Sequence, residues 1–202
     1  MSTELAISRE ALEAESWPAV VLERRARIVS VNGAWDRIAT QSNGPVATAV
    51  LETCWFDHIA GAELRAWYQQ LLVRVLRLGV GENHRCECNT PDSYRLFSSC
   101  FKPLRSRRTG ERAGMVVLTT LLEEAPIEQV YSIGRPDEKR YLCPDGLIRQ
   151  CSGCRRVRVA GSSPPEWELV PEYVASPRPN ISHDLCKLCR EIHYGIAVDE
   201  RC

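Results

Sequence analysis

The sequence has no stretch approaching the roughly eighteen consecutive apolar residues of a membrane-spanning helix. Nor does Met1 to Glu15 hold an apolar run of the secretory kind; four glutamates stand there instead. Both absences argue for a cytoplasmic chain without a membrane association. Net charge is missing too. Lys+Arg and Asp+Glu total 26 each in 202 residues, so no global field draws the chain to nucleic acid or anionic lipid, and any such attraction has to be local. Histidine is scarce, with four in the chain. No glycine-rich phosphate loop, nucleophile elbow or His-Glu-x-x-His motif occurs, and the expectation is a non-catalytic protein.

What is present is globular: 44% apolar and 26% charged residues suffice for a packed core. The length suggests one domain of ordinary size with a small module attached. Ten cysteines would mark a disulfide scaffold in a short secreted domain; in a reducing compartment they read as metal ligands or redox thiols.

Along the chain, residues 1–16 form a helical lead-in that Ser2 or Thr3 can cap, running through Leu5, Ile7 and Leu12 and suited to packing on a partner. Residues 17–122 alternate between periods. Ala19 to Leu22 and Arg27 to Val31 are β-rich and frame a turn at Glu23-Arg24-Arg25. Asn32-Gly33 opens a helix through Trp35 and Ile38, and a second helical stretch includes Cys54, Trp55, Phe56 and Ile59. Leu64, Trp67, Leu71, Val75 and Leu78 recur at three- and four-residue steps, which predicts a helix from Ala62 to Leu78. Strands are expected over Asn83 to Asn89, Tyr94 to Leu104 and Gly114 to Leu121, the last apolar on both faces and therefore central. Residues 123–140 are a linker, and 141–202 a small metal-stapled module. The fold class is α+β, an antiparallel sheet with helices on one face.

This order resembles the PAS sensor family. The residues that carry the likeness are Ile28-Val29-Ser30-Val31-Asn32-Gly33-Ala34-Trp35, where a strand runs into a helix, and the hairpin Arg85-Cys86-Glu87-Cys88-Asn89-Thr90-Pro91 with Tyr94-Arg95-Leu96-Phe97 and Pro103-Leu104. The resemblance implies a ligand- or partner-sensing domain in a signalling pathway, with a homodimer among its assemblies. Pro126, Gly134 and Pro136 break the long signalling helix such domains usually continue into, so the output element is not a coiled coil.

Cys151-Ser152-Gly153-Cys154 and Cys186-Lys187-Leu188-Cys189 are two chelating loops separated by thirty-one residues. Together they offer Cys151, Cys154, Cys186 and Cys189 as a closed tetrahedral thiolate set for zinc. An iron–sulfur cluster, or two disulfides or four unrelated thiols, are the alternatives. The insertion between the loops should supply a small helix from Trp167, Leu169, Val170, Tyr173 and Val174. The module resembles a C-terminal extension of PAS and response-regulator proteins through Cys151-Ser152-Gly153-Cys154-Arg155-Arg156-Val157-Arg158, Trp167, Glu172-Tyr173 and Ser182-His183-Asp184-Leu185-Cys186-Lys187-Leu188-Cys189; that resemblance implies a place in signalling and no chemistry. His183 fits a role behind the ligands, and His193 a surface position. Cys143 is a spare thiol without an assigned role, and Cys202 is taken as disordered.

Other chemistry has weaker support. Cys54-Trp55-Phe56-Asp57-His58 does not match the reactive-cysteine context of flavin photoreceptors. Haem would need an axial His or Cys facing the pocket, for which His58, on a short helix, is a conceivable ligand. Cys86 and Cys88 share a strand face and could form a redox set with Cys100, though buried cysteine as a small hydrophobe is the simpler reading. Arg155, Arg156 and Arg158, with Arg149, crowd the first metal loop and suit either an acidic protein partner or nucleic-acid phosphates. The protein partner is favoured because the chain has no net charge; a nucleic-acid-binding transcription regulator and a haem- or thiol-based redox sensor remain as alternatives.

Overall fold

A computed structural model describes residues 5–41 and 44–195. Ser2, Thr3 and Cys202 lie outside them. The first helix, α1 (Arg9–Glu13), is capped by Ser8, whose Oγ accepts from Ala11 N at 3.1 Å. It therefore begins later than the sequence suggests, and Leu5 instead bridges to Ser106. Strands β1 (Ala19–Glu23) and β2 (Ile28–Val31) precede α2 (Gly33–Gln41), α3 (Ala47–Val50), a 3-10 turn at Trp55–His58, and α4 (Ala62–Leu78). Then come β3 (Glu82–Glu87), β4 (Ser93–Arg105) and β5 (Arg112–Pro126). These five strands make an antiparallel sheet in the order β2-β1-β5-β4-β3, with β5 in the middle as its two-faced apolar run requires.

After a 3-10 turn at Ile127–Gln129 the chain forms α5 (Glu138–Tyr141), β6 (Ile148–Cys151), β7 (Val157–Arg158), β8 (Trp167–Glu168), α6 (Pro171–Ala175), β9 (Ile181–Asp184) and α7 (Lys187–Tyr194). The four strands make a second sheet, β8-β7-β6-β9, in which β6 and β9 are parallel. Two compact units result, and neither is one continuous stretch. The first contains the chain up to Ile59 with Tyr68–His84 and Ser98–Leu121; the second contains Ala60–Trp67, Arg85–Phe97 and the chain from Leu122 onward.

In the first unit β1 is buried on both faces. Ala19 and Val21 pack with Val116, Leu104, Leu5 and Leu12, so these two leucines of the lead-in cover their own sheet. On α4 and β4, Tyr68 and Phe101 gather with Trp55, ring centroids 5.1 to 6.2 Å apart. Truncating the buried Phe101 to alanine would cost about 3–5 kcal/mol. Asn32 joins three segments: its Oδ1 accepts from Ala19 N and Trp35 N, and its Nδ2 donates to the carbonyls of Glu15 and Trp17. All four bonds of this buried amide are thereby made, which is why a polar side chain is tolerated there.

The second unit has a core of Tyr141, Ile148, Val157, Val170 and Tyr173. Trp167, expected in a helix, is instead in β8, paired with Arg158. The helix starts only at Pro171, whose missing N–H suits a first turn.

Candidate metal centre

Parallel pairing of β6 and β9 decides the site. It sets Cys151 beside Asp184, so both Cys-x-x-Cys loops leave the sheet at the same end. Ser152 fastens them together, its N and Oγ donating to Asp184 O at 2.7 and 3.0 Å. The first loop folds back as a knuckle: Arg155 N donates to Cys151 O, Cys151 N to Arg156 O, and Arg155 adopts φ 68°. The second loop runs into α7, with Cys186 at its N-cap position and Cys189 in its first turn.

The four sulfurs lie within 4.8 Å of one another, and all four residues are buried. They are free thiols, not disulfides. A tetrahedral site with metal–sulfur arms of about 2.3 Å has edges of about 3.8 Å; Cys154 Sγ and Cys186 Sγ are 3.7 Å apart. The donor set thus fits a tetrahedral thiolate-binding ion. Gly153 belongs to this geometry, because a Cβ there would stand 2.9 Å from Cys189 Sγ. Among the described residues no other group of three or more metal-ligating side chains gathers in this way.

Donors and a cation surround the sulfurs. Cys186 N donates to Cys151 Sγ at 3.4 Å. Arg156 reaches inward, with Nε 3.2 Å from Cys154 Sγ and Nη2 3.4 Å from Cys186 Sγ. Burial works against its charge, but the Cys154 and Cys186 sulfurs outweigh that, and the guanidinium is held cationic above its ordinary range. Hydrogen bonds from Cys151, Cys154 and Cys189 keep the Cys186 sulfur below the usual thiol range. Arg156 also stacks over Tyr131, 4.4 Å from the ring centroid. The Tyr131 hydroxyl in turn donates to Glu87 Oε2 at 2.5 Å, and burial together with this bond pushes its pKa up. Beside this chain, Asn89 Nδ2 donates to both Glu87 Oε2 and the Cys154 carbonyl, while Asn89 Oδ1 accepts from Arg95 N.

The remaining candidates have other places. Arg155 and Arg158 are half-buried, and Arg149 is tied to Asp145 and Ser182. His183 lies half-buried on β9 opposite Gln150, its pKa lowered by burial and then by Arg155. His193 is not a surface residue: it is buried on α7 with its ring 5.1 Å from Trp67, and burial lowers its pKa to about 4. Helix α7 is further fixed by Arg190, which grips Glu63 through Nε and Nη2 at 3.0 and 3.1 Å, and by Tyr194, which donates to Glu63 O. Cys143 stands apart from the cluster, half-buried. Cys88 is exposed, while Cys86 and Cys100 are half-buried. His58 is exposed, Nε2 2.7 Å from Thr53 Oγ1.

No family profile matches the chain, and no curated protein does. Solved structures similar to it include PAS domains. That of BvgS from Bordetella pertussis is 16% identical, with 57% of this chain and 83% of that one covered and a TM-score of 0.47. PAS-B of Cycle from Drosophila melanogaster is 12% identical over 52% of this chain and 99% of that one, TM-score 0.40. The PAS domain of the histidine kinase ThkA is 19% identical over 50% and 94%, TM-score 0.38. No helix among the described residues is long and apolar enough to cross a membrane.

Proposed function

We propose that the chain is a cytoplasmic, non-catalytic regulatory adaptor: a PAS-like domain senses a ligand or partner, and a zinc-stapled four-cysteine module passes the signal to a protein. The observation that carries this reading is the connection from Glu87 and Asn89, on the β3–β4 hairpin, to the first metal loop through Tyr131, Arg156 and the Cys154 carbonyl. A change in the hairpin would be felt at the metal loop, and the reverse. Zinc supplies a fixed tetrahedral staple with no open position for chemistry. Arg156 is committed to the sulfurs, which leaves the basic patch smaller than its sequence suggests and supports a protein partner over nucleic acid.

Native mass spectrometry of the full chain tests this. One zinc per chain is expected, lost in Cys151→Ser and Cys186→Ser, with negligible nucleic-acid binding at about 0.15 M salt. A chain without stoichiometric metal, or micromolar nucleic-acid binding abolished by replacing Arg155 and Arg158, overturns it.

A further inference from the structure

At one end of the first unit lies a cleft of about 670 Å³. Four elements contribute an arginine to it: Arg24 from the β1–β2 turn, Arg77 from the last turn of α4, Arg105 from the end of β4 and Arg112 from the start of β5. One carboxylate, Glu111, shares the cleft. Among the described residues none of these four arginines forms an ion pair, although other arginines of the same unit do: Arg74, one turn before Arg77, holds Glu82 at 2.8 Å, and Arg27 holds Glu23 at 2.8 Å. Two of the four are aimed by the backbone. Arg112 donates to Arg77 O at 3.0 Å and lies over Gly79, where a Cβ would meet its Nη1 at 2.2 Å; Arg105 donates to Gly110 O at 2.7 Å.

The negative end of the α4 dipole gives a structural reason for Arg77 and Arg112. It gives none for Arg24 and Arg105, which the turns bring to the same place. Four like charges gathered beside a single carboxylate repel, and an added anion relieves them. The floor is apolar, from Leu72, Val73 and Leu76. Val73 and, at the end of α4, Leu78 and Val80 are 61%, 62% and 64% exposed.

We infer that this cleft is a docking site for an acidic peptide segment of a partner protein, one in which Asp or Glu alternates with apolar side chains. Guanidinium forks match carboxylates in paired hydrogen bonds, and the exposed valine and leucine surface takes the intervening apolar residues. An open cleft of this kind does not enclose a small molecule by the roughly 70–90% that such ligands typically need. The site is independent of the metal module, so it stands or falls apart from the zinc reading.

The test is fluorescence anisotropy of the full chain with a labelled twelve-residue peptide of alternating Glu and Leu. Saturable binding is expected, weakening with salt, reduced about tenfold or more by R77E/R105E and reduced also when Ser replaces Leu in the peptide. R9E/R178E, which makes the same change in net charge at exposed arginines elsewhere, should leave binding unchanged. Thermal melts establish that the variants are folded, and R77Q/R105Q replaces the reversal if it does not fold. The inference is overturned by absence of binding, by equal loss in the R9E/R178E control, by indifference to the Leu-to-Ser change, or by inorganic phosphate or anionic lipid vesicles competing as well as unlabelled peptide.

Discussion

The side-chain amide of Asn89 donates to the backbone carbonyl of Cys154 at 2.9 Å, across 65 residues of sequence. Asn89 is buried and its other polar atom accepts from Arg95 N. The turn that closes the β3–β4 hairpin and the knuckle that presents Cys154 are therefore fixed to each other by one side chain. A carbonyl bound in this way orients the knuckle, because the same loop bends through Arg155 in a left-handed conformation.

Asn89→Leu should leave the Cys154 carbonyl without its partner in a buried setting, a loss of about 1–3 kcal/mol. Metal binding by the four cysteines should match the parent, since none of them is replaced. Limited proteolysis is expected to cut the knuckle or the hairpin faster than in the parent, and unchanged cleavage there would show that the bond fixes nothing.

Replacing Arg156 removes the cation beside Cys154 and Cys186. Arg156→Gln keeps two N–H groups but no charge, and metal affinity should fall about 10- to 100-fold, the range for groups that support ligands. Arg156→Lys should lie between Arg156→Gln and the parent, because an ammonium keeps the charge but cannot hold two sulfurs and stack on Tyr131 together. Competition with a chromophoric chelator reads these affinities, and equal affinity in all three proteins would refute the role.

Much of this was legible in the sequence where the signal is periodic or local. The spacing of Leu64, Trp67, Leu71 and Val75 gave α4 its bounds, although Leu78, placed on the same face, is exposed. Two Cys-x-x-Cys pairs identified the four thiols that the fold gathers. Relations between distant residues carry no such period. Asn89, Glu87 and Tyr131 could not be connected to the cysteines from spacing, and Arg156 looked like any basic neighbour until its guanidinium was seen against the sulfurs. His193, expected at the surface, is buried with its ring against Trp67, a contact that sequence spacing does not show. Ser8 caps α1 and Leu5 bridges to Ser106, a long-range pairing that no local propensity reveals.

Glu168 gives a pH signature in the second unit. Its carboxylate accepts from Arg140 Nε at 3.0 Å and from the Tyr141 hydroxyl at 2.7 Å, and the Arg140 bonds hold its pKa below the ordinary carboxylate value. A depressed pKa stabilises the fold above the unfolded value of about 4.3 and ceases to do so as pH falls through the folded value. The gap in melting temperature between the parent and Glu168→Gln should therefore be present at pH 7 and close as pH falls below about 4. Because both proteins carry the same thiolates, acid release of metal enters both melts equally. A gap that stays constant with pH would mean that the carboxylate charge contributes nothing.

Removing the metal should loosen the hairpin and not only the module. Without an ion, four buried thiolates repel or protonate, Arg156 loses the charge that holds it inward, and Tyr131 loses the cation stacked on its ring. Glu87 and Asn89 then hold a partner that is no longer fixed. Hydrogen exchange of the full chain, with and without a high-affinity zinc chelator, reads this segment by segment. Faster exchange is expected over Arg85–Phe97 and around Tyr131 as well as in both Cys-x-x-Cys loops. The β1–β5 pairing, Ala19–Glu23 with Gly114–Leu118, should stay protected, because its bonds and its Leu5, Leu12 and Leu104 packing involve no residue of the metal centre. Exchange that rises in the loops alone would separate metal from hairpin and remove the physical basis for a signal passing between them; exchange that rises everywhere would make the metal a staple for the whole fold.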